Sequence, residues 1–152
     1  MVKAYVGIDP GKLGAAALLA PDKIHLHDWA NAARSGEVMA QWANEYDLTV
    51  AIEKVTSQKT DNHAFAFRFG VNYGIWQGIC AGLLIDPHLV HFSTWQSKVL
   101  PGWNKKGVDN KKTAIKIVRE LYPVVKNSIF LQKHNGRADA LLIATFAKGR
   151  GL

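Results

Sequence analysis

Residues 3–29 hold three short strand-like runs, KAYVGID, LGAAALLA and KIHLHDW, with little more than PGK and PDK between them. Connections that short join antiparallel neighbours, because a parallel pair needs a crossover of about a dozen residues or more. The chain is thus committed near its start to a three-stranded meander, and any larger sheet must grow from it.

The rest of the sequence supplies the growth. A helix is expected over Gly36–Tyr46, with Val38, Met39 and Trp42 turned inward. LTVAIEKV then reads as a fourth strand, short and nearly all apolar, as suits one buried on both faces. The longest helical pattern runs from about Ala64 to Leu84. Phe65, Phe69, Trp76, Ile79 and Leu83 make one stripe, and Gly70, Gly74, Gly78 and Gly82 another. Small residues every fourth position let backbones approach closely, so this face is expected to pack tightly within the domain, the alternative being a partner subunit. Arg68, Asn72 and Gln77 argue against lipid. HLVHF gives a fifth strand and STWQSKVL a helical turn. A helix over Asp109–Tyr122 has Asp109 as N-cap and Pro123 as its stop, and GRADALLIATFAK is a last helix ending at Gly149. The order describes an α/β fold, a mixed five-stranded sheet flanked by helices, which is the element order of an RNase H-like domain.

At 152 residues, with no linker, repeat or low-complexity tract, residues 1–152 read as a single domain able to bury its own core. The one cysteine, Cys80, excludes a disulfide framework or a CxxC metal site and reads as core in a reducing compartment. No apolar signal region or membrane-length stretch is present, so a soluble protein of the cytoplasm is expected.

Charge is divided unevenly. Residues 1–53 hold seven acids against four Lys/Arg, whereas residues 54–152 hold five against fifteen. Lys98, Lys105, Lys106, Lys111, Lys112, Lys116 and Arg119 share a segment whose only acid is Asp109. Such a segment is either a footprint for phosphates or a solvated helix face.

Three acids stand where apolar segments end: Asp9 after the first strand, Glu53 after TVAI, and Asp139 near the start of the last helix. Each has a plain explanation taken singly. Asp-Pro-Gly is turn chemistry, Glu53 has Lys54 or Lys12 as candidate ion-pair partners, and an acid near a helix N-terminus is favoured by the dipole. Together they say more, because the first and fourth strands of such a sheet lie side by side and the final helix crosses their ends. Converging carboxylates must take up protons or hold cations. Mg²⁺ suits them, and two ions roughly 4 Å apart activate water and stabilise the leaving oxygen in phosphodiester cleavage. His134 adds a candidate base or ligand, and Asn135 either a neutral fourth ligand or an N-cap.

These blocks resemble the RuvC-like Holliday junction resolvases, especially their short phage-type members, over nearly the whole chain. VGIDPG is similar to the first motif of that family, AIEKV to the second and ADALLIA to its C-terminal acidic helix. TWQSKVL followed by DNKKTAIKIVRELYP resembles the basic segment between them. The resemblance implies that Asp9, Glu53 and Asp139 are catalytic, metal-binding acids and that the cofactor is Mg²⁺ or Mn²⁺, two ions per site. Lys98 and Lys112 match lysines that face DNA and the scissile phosphate, Lys112 counting among the catalytic groups. Lys59, Lys105, Lys106 and Lys111 extend the DNA-binding set. The implied partners are branched DNA, above all four-way junctions, and a second copy of the chain, in a bacterial or phage-infected cell.

The sequence departs from the family pattern in two places. HNG stands where phage-type members often have HDG, so Asn135 occupies the place of a fourth acid. Thr56 stands where some resolvases carry a base-stacking aromatic, which leaves Phe65 or Trp103 for that role. Two other readings are a non-catalytic junction binder of the same fold and a kinase-like ATP-binding domain opening on GIDPG. The latter kind of enzyme uses two large domains and a second phosphate loop, which this length barely accommodates.

Overall fold

The computed structural model describes residues 1–56 and 62–152. Its strands are β1 (Lys3–Asp9), β2 (Ala15–Leu19), β3 (Ile24–Asp28), β4 (Asp47–Glu53) and β5 (His88–Val90). Its helices are α1 (Ala32–Glu45), α2 (His63–Gly82), α3 (Phe92–Val99), α4 (Asn110–Leu121) and α5 (Asn135–Arg150). The strands form one mixed sheet in the order β3-β2-β1-β4-β5. The meander is there: β1 pairs antiparallel with β2 and β2 with β3, while β4 lies parallel to β1 and β5 parallel to β4.

The two-residue period of the strands divides the core into two layers. Ala4, Val6 and Ile8 of β1, with Val50 and Ile52 of β4, meet Val38, Met39 and Trp42 of α1 and Trp76 and Cys80 of α2. The opposite face carries small residues, Ala15, Ala17 and Ala51, under Trp95 of α3, Ala114 and Val118 of α4 and the apolar body of α5. Small side chains there let α5 come down onto the sheet. A Cβ on Gly7 would stand 2.0 Å from the carbonyl oxygen of Ala140 and 2.4 Å from the Ala144 nitrogen, so helix backbone rests directly on strand backbone.

Four expectations are corrected. The first helix starts at Ala32 rather than Gly36, because Asn31 caps it by accepting from the Arg34 N–H at 2.9 Å. The last helix passes through Gly149 and ends at Gly151, whose φ of +66° makes the left-handed stop. The glycine stripe of α2 has nothing packed on it among the described residues: an added Cβ at Gly70, Gly74, Gly78 or Gly82 would meet none of their atoms within 4 Å. The aromatic stripe opposite it does pack, through Trp76, Ile79 and Leu83, but its first member Phe65 is 54% exposed. Cys80 is buried and free, and burial pushes its thiol up to about 11, leaving it inert as expected of a core residue. Among the described residues no helix is long and apolar enough to cross a membrane.

Candidate active site

Alternation along β1 and β4 sets two acids on one face of the sheet. Val6 and Ile8 point to the α1/α2 layer, so Gly7 and Asp9 point to the α5 layer; Val50 and Ile52 likewise put Ala51 and Glu53 there. Ile8 is in register with Ile52, and Asp9 and Glu53 therefore terminate neighbouring parallel strands on the same side. The third acid comes from α5. At one end of its contact the Gly136 position lies so close to the Leu13 carbonyl oxygen that a Cβ would stand 2.2 Å away; further along, Ala140 sits on Gly7. Asp139 lies between these two contacts, level with the strand ends.

Each carboxylate is partly buried and, among the described residues, has a single hydrogen bond. The Gly11 N–H donates to Asp9 Oδ1 at 3.0 Å, Trp95 Nε1 donates to Glu53 Oε2 at 2.8 Å, and Asn135 Nδ2 donates to Asp139 Oδ1 at 3.4 Å. The turn chemistry of Asp-Pro-Gly is thus real and coexists with the cluster. Glu53 forms no ion pair with Lys54 or Lys12, and among the described residues none of the three acids is salt-bridged.

Their protonation equilibria show the strain of this arrangement. Burial, then the Asp9 charge, push Glu53 up to about 7, with Trp95 offsetting part of the rise. Burial, then Asp9 and Glu53, hold Asp139 well above the usual carboxylate range. Asp9 is raised by burial and relieved by the Gly11 N–H and the Lys111 charge. Three desolvated acids that oppose one another's ionisation, all oxygen donors, suit a hard divalent cation. Among the described residues no group of three or more His, Cys, Asp or Glu side chains is disposed to hold a metal ion between them. Mg²⁺ needs none, since one or two carboxylates hold it and water completes its shell.

The lysines sort by helix face. Asp109 caps α4 as expected, accepting from the Lys111 and Lys112 N–H groups at 3.0 and 3.2 Å. The buried positions of α4 are Ala114 and Val118. Lys111 precedes them by three and seven residues and shares their side, and its charge acts on both Asp9 and Asp139. Lys112 instead lines a separate groove of about 670 Å³ with Lys116, Arg119, Lys126 and Phe130. The α4 lysine whose charge is felt at Asp9 and Asp139 is Lys111, one residue before the one that matches the family motif. Lys98 stands exposed in the last turn of α3, Lys105 and Lys106 lie in the exposed loop before α4, and Lys59 falls outside the described residues.

His134 and Asn135 part company. Asn135 is the first residue of α5, with helical backbone, and points its amide at Asp139 rather than capping. His134 turns away from the carboxylates: its Nδ1 accepts from the backbone N–H groups of Phe130 and Leu131 at 3.2 and 3.1 Å, so that nitrogen is not free for a metal. Of the two aromatics, Trp103 is tied down, donating from Nε1 to Gln96 Oε1 at 2.9 Å. Phe65 is exposed and stacks on Phe69 with ring centroids 5.6 Å apart; Phe69 in turn reaches the Gly11 turn beside Asp9. Trp95 is the participant that sequence reasoning missed, because nothing in STWQSKVL signals that its indole meets an acid on β4.

No protein-family model matches this sequence, and no curated protein matches it. Solved structures do. Thermus thermophilus RuvC in complex with a Holliday junction substrate is 17% identical, with a TM-score of 0.69 over 98% of this chain and 96% of that one. A second Thermus thermophilus RuvC structure is 18% identical, with a TM-score of 0.61 over 97% of this chain and 96% of the other. At such identities the likeness is one of architecture. This chain carries the RNase H-like fold in the form seen in RuvC.

Proposed function

We propose that this protein is a metal-dependent, structure-selective endonuclease of branched DNA, acting on four-way junctions as a homodimer. The observation that carries the reading is the cluster itself: Asp9, Glu53 and Asp139, from two adjacent strand ends and a crossing helix, desolvated and unpaired with any cation among the described residues. The excess of Lys and Arg after residue 53 and the likeness in fold to a RuvC seen on a Holliday junction support the choice of substrate.

In this reading Asp9, Glu53 and Asp139 hold Mg²⁺ or Mn²⁺, two ions per site. Bound there, the metal supplies an activated water and charge stabilisation for the leaving oxygen. The chain's own groups do the positioning. Trp95 fixes the Glu53 carboxylate, the Gly11 N–H fixes Asp9, and Asn135 orients Asp139 from one helical turn away. Lys111 brings a cation to the phosphate. The lysines of α3, α4 and the loop between them grip the backbone, which gives salt-sensitive affinity that tolerates sequence, so that preference comes from junction shape.

The homodimer rests on α2. This helix is rich in apolar and small residues beyond its buried side, yet among the described residues its fully buried positions are only Trp76 and Cys80. Its other side presents Gly70, Gly74, Gly78 and Gly82 with Phe67 and Val71 exposed beside them, a surface suited to the same helix of a second copy.

The test is a synthetic four-way junction incubated with protein and Mg²⁺. Symmetric nicking by the parent, lost in Asp9→Asn, Glu53→Gln and Asp139→Asn while junction binding persists, is expected. Binding without cutting by the parent would favour the non-catalytic binder, in which Asn135 has replaced a needed acid. Gain of cutting in Asn135→Asp would then assign the defect to that position.

A further inference from the structure

We propose that the groove of about 670 Å³ along α4 takes an unpaired nucleic-acid strand, with a base stacked on the ring of Phe130 and phosphates on the cations beside it. The inference deepens the proposed function and rests on it for the source of the strand. Binding itself is read without cleavage.

Phe130 carries the argument. It is 52% exposed, although the chain around it is braced on two sides. Arg119 Nη1 donates to the carbonyl oxygens of Lys126 and Ile129 at 2.6 and 2.9 Å, which ties the segment before the ring to α4. On the other side the Phe130 N–H donates to His134 Nδ1 at 3.2 Å, and the two rings meet edge to face with centroids 5.0 Å apart and planes at 74°. Ile115 and Pro123 continue the apolar floor of the groove. A large ring is thus held in water over an apolar floor by a backbone already fixed, so a ligand that covers it has little ordering left to offset.

The charges say what the cover is. Lys112, Lys116, Arg119 and Lys126 line the groove against one acid, Glu120, which lies 4.0 Å from Lys116. Lys112 and Lys126 have no ion pair among the described residues. Lys112 and Lys116 stand one turn apart, and from Lys112 to Arg119 the helix rises about 10 Å, so the cations follow a line. A line of charge fits a regularly charged chain better than the scattered acids of a protein surface, and a phosphodiester backbone is such a chain. The ring then chooses among its forms. In a duplex each base face is covered by its neighbours, which leaves Phe130 only edges and sugars, whereas an unpaired strand offers free faces to an aromatic side chain. The groove also starts in the right place. Lys112 follows directly on Lys111, whose charge is felt at Asp9 and Asp139, so a strand lying along α4 leads from the carboxylates toward Pro123. The substrate class this adds is branched DNA with an unpaired arm, or with unpaired nucleotides at the branch.

The experiment is fluorescence anisotropy of a labelled oligothymidylate of about 12 nucleotides, single-stranded or paired with its complement, titrated with metal-free protein. Phe130→Ala should weaken the single strand by about five- to hundredfold and leave the duplex nearly unchanged. Phe130→Leu keeps an apolar contact with His134 but no flat face, and should lose at least about fivefold even if the alanine variant fails to fold. Phe130→Trp should keep the parental affinity. Equal losses for strand and duplex, or no loss in either, overturn the proposal. So does an acidic, leucine-containing peptide whose binding depends on Phe130 while that of the single strand does not, since the groove would then belong to a protein partner. A parent that holds the strand through Phe130 yet never cuts a junction sinks the nuclease reading and leaves the groove; a parent that cuts junctions but binds the strand without regard to Phe130 does the reverse.

Discussion

Trp95 Nε1 donates a 2.8 Å hydrogen bond to Glu53 Oε2, joining a fully buried indole on α3 to a carboxylate at the end of β4. Among the described residues it is the contact that favours the ionised form of Glu53 against burial and the Asp9 charge. A hydrogen bond to a charged group contributes about 1.5–3 kcal/mol. Trp95→Phe keeps most of the apolar volume and deletes the donor, so Glu53 should rise further above about 7. Junction cleavage should then lose more at pH 7 than at pH 9, with the acid limb of the rate profile moved to higher pH. A uniform loss at all pH values would assign Trp95 to packing alone.

The same cluster sets how metal-free protein responds to pH. The folded-state value of Glu53 lies above its unfolded value of 4.5, so between 4.5 and about 7 the folded state binds more protons than the unfolded one. Stability is therefore highest at low pH within this window and is lost as pH rises through it. The shift corresponds to about 3 kcal/mol for Glu53 as an upper figure, with Asp139 acting in the same direction. Thermal unfolding at pH 5 and pH 8 should show the drop, Glu53→Gln should flatten it, and Mg²⁺ should raise the midpoint at pH 8 far more than at pH 5. A metal-free protein equally stable at both would contradict the coupling.

How much of this was legible depends on which residues sit in a repeating pattern. Asp9 and Glu53 could be read because strand alternation fixes the face of every side chain once the apolar run is seen. Asp139 could be read because ADALLIA fixes the start of a buried helix. Which of Lys111 and Lys112 has its charge felt at the carboxylates was not legible, because adjacent helical residues point about 100° apart and a run of lysines carries no phase. The signal was present in Ala114 and Val118, which set the buried side three and seven residues on. The glycine stripe permits close approach to α2, but spacing alone says neither that a neighbour is there nor whether it belongs to the same chain. The place of His134 was unreadable because its Nδ1 accepts two backbone N–H groups in a turn that no side-chain pattern announces.

Lys111 and Lys112 should separate chemistry from grip. Lys111 stands on the carboxylate side of α4, and Lys112 on the groove side. Removing a cation placed where transition-state charge develops typically costs about 10²–10³-fold in rate. Lys111→Ala should therefore cut single-turnover cleavage by about that factor with junction affinity changed only slightly. Lys112→Ala should weaken binding across sequences and lower the salt slope by about 1, while bound junction is still cut at nearly the parental rate. The reverse assignment of the two phenotypes would restore Lys112 as the catalytic lysine.

Glycines at two places on this fold should answer to substitution in opposite ways. A Cβ at Gly7 would collide with the Ala140 carbonyl oxygen at 2.0 Å and the Ala144 nitrogen at 2.4 Å, both backbone atoms that cannot swing aside. Gly7→Ala must push α5 off β1, separating Asp139 from Asp9, and should cost more than about 4 kcal/mol, the range that marks a core clash. At Gly74 and Gly78 an added Cβ meets no atom of the described residues within 4 Å. Replacing a helix-interior glycine gains up to about 1 kcal/mol of helix propensity, so Gly74→Glu with Gly78→Glu should leave the monomer folded and its thermal midpoint undiminished. What it should abolish is self-association, because two like-charged α2 faces would have to meet without water. Sedimentation velocity of parent and variant decides the matter: a parent dimer that becomes a folded monomer identifies α2 as the contact, whereas a dimer that survives both glutamates places the contact elsewhere.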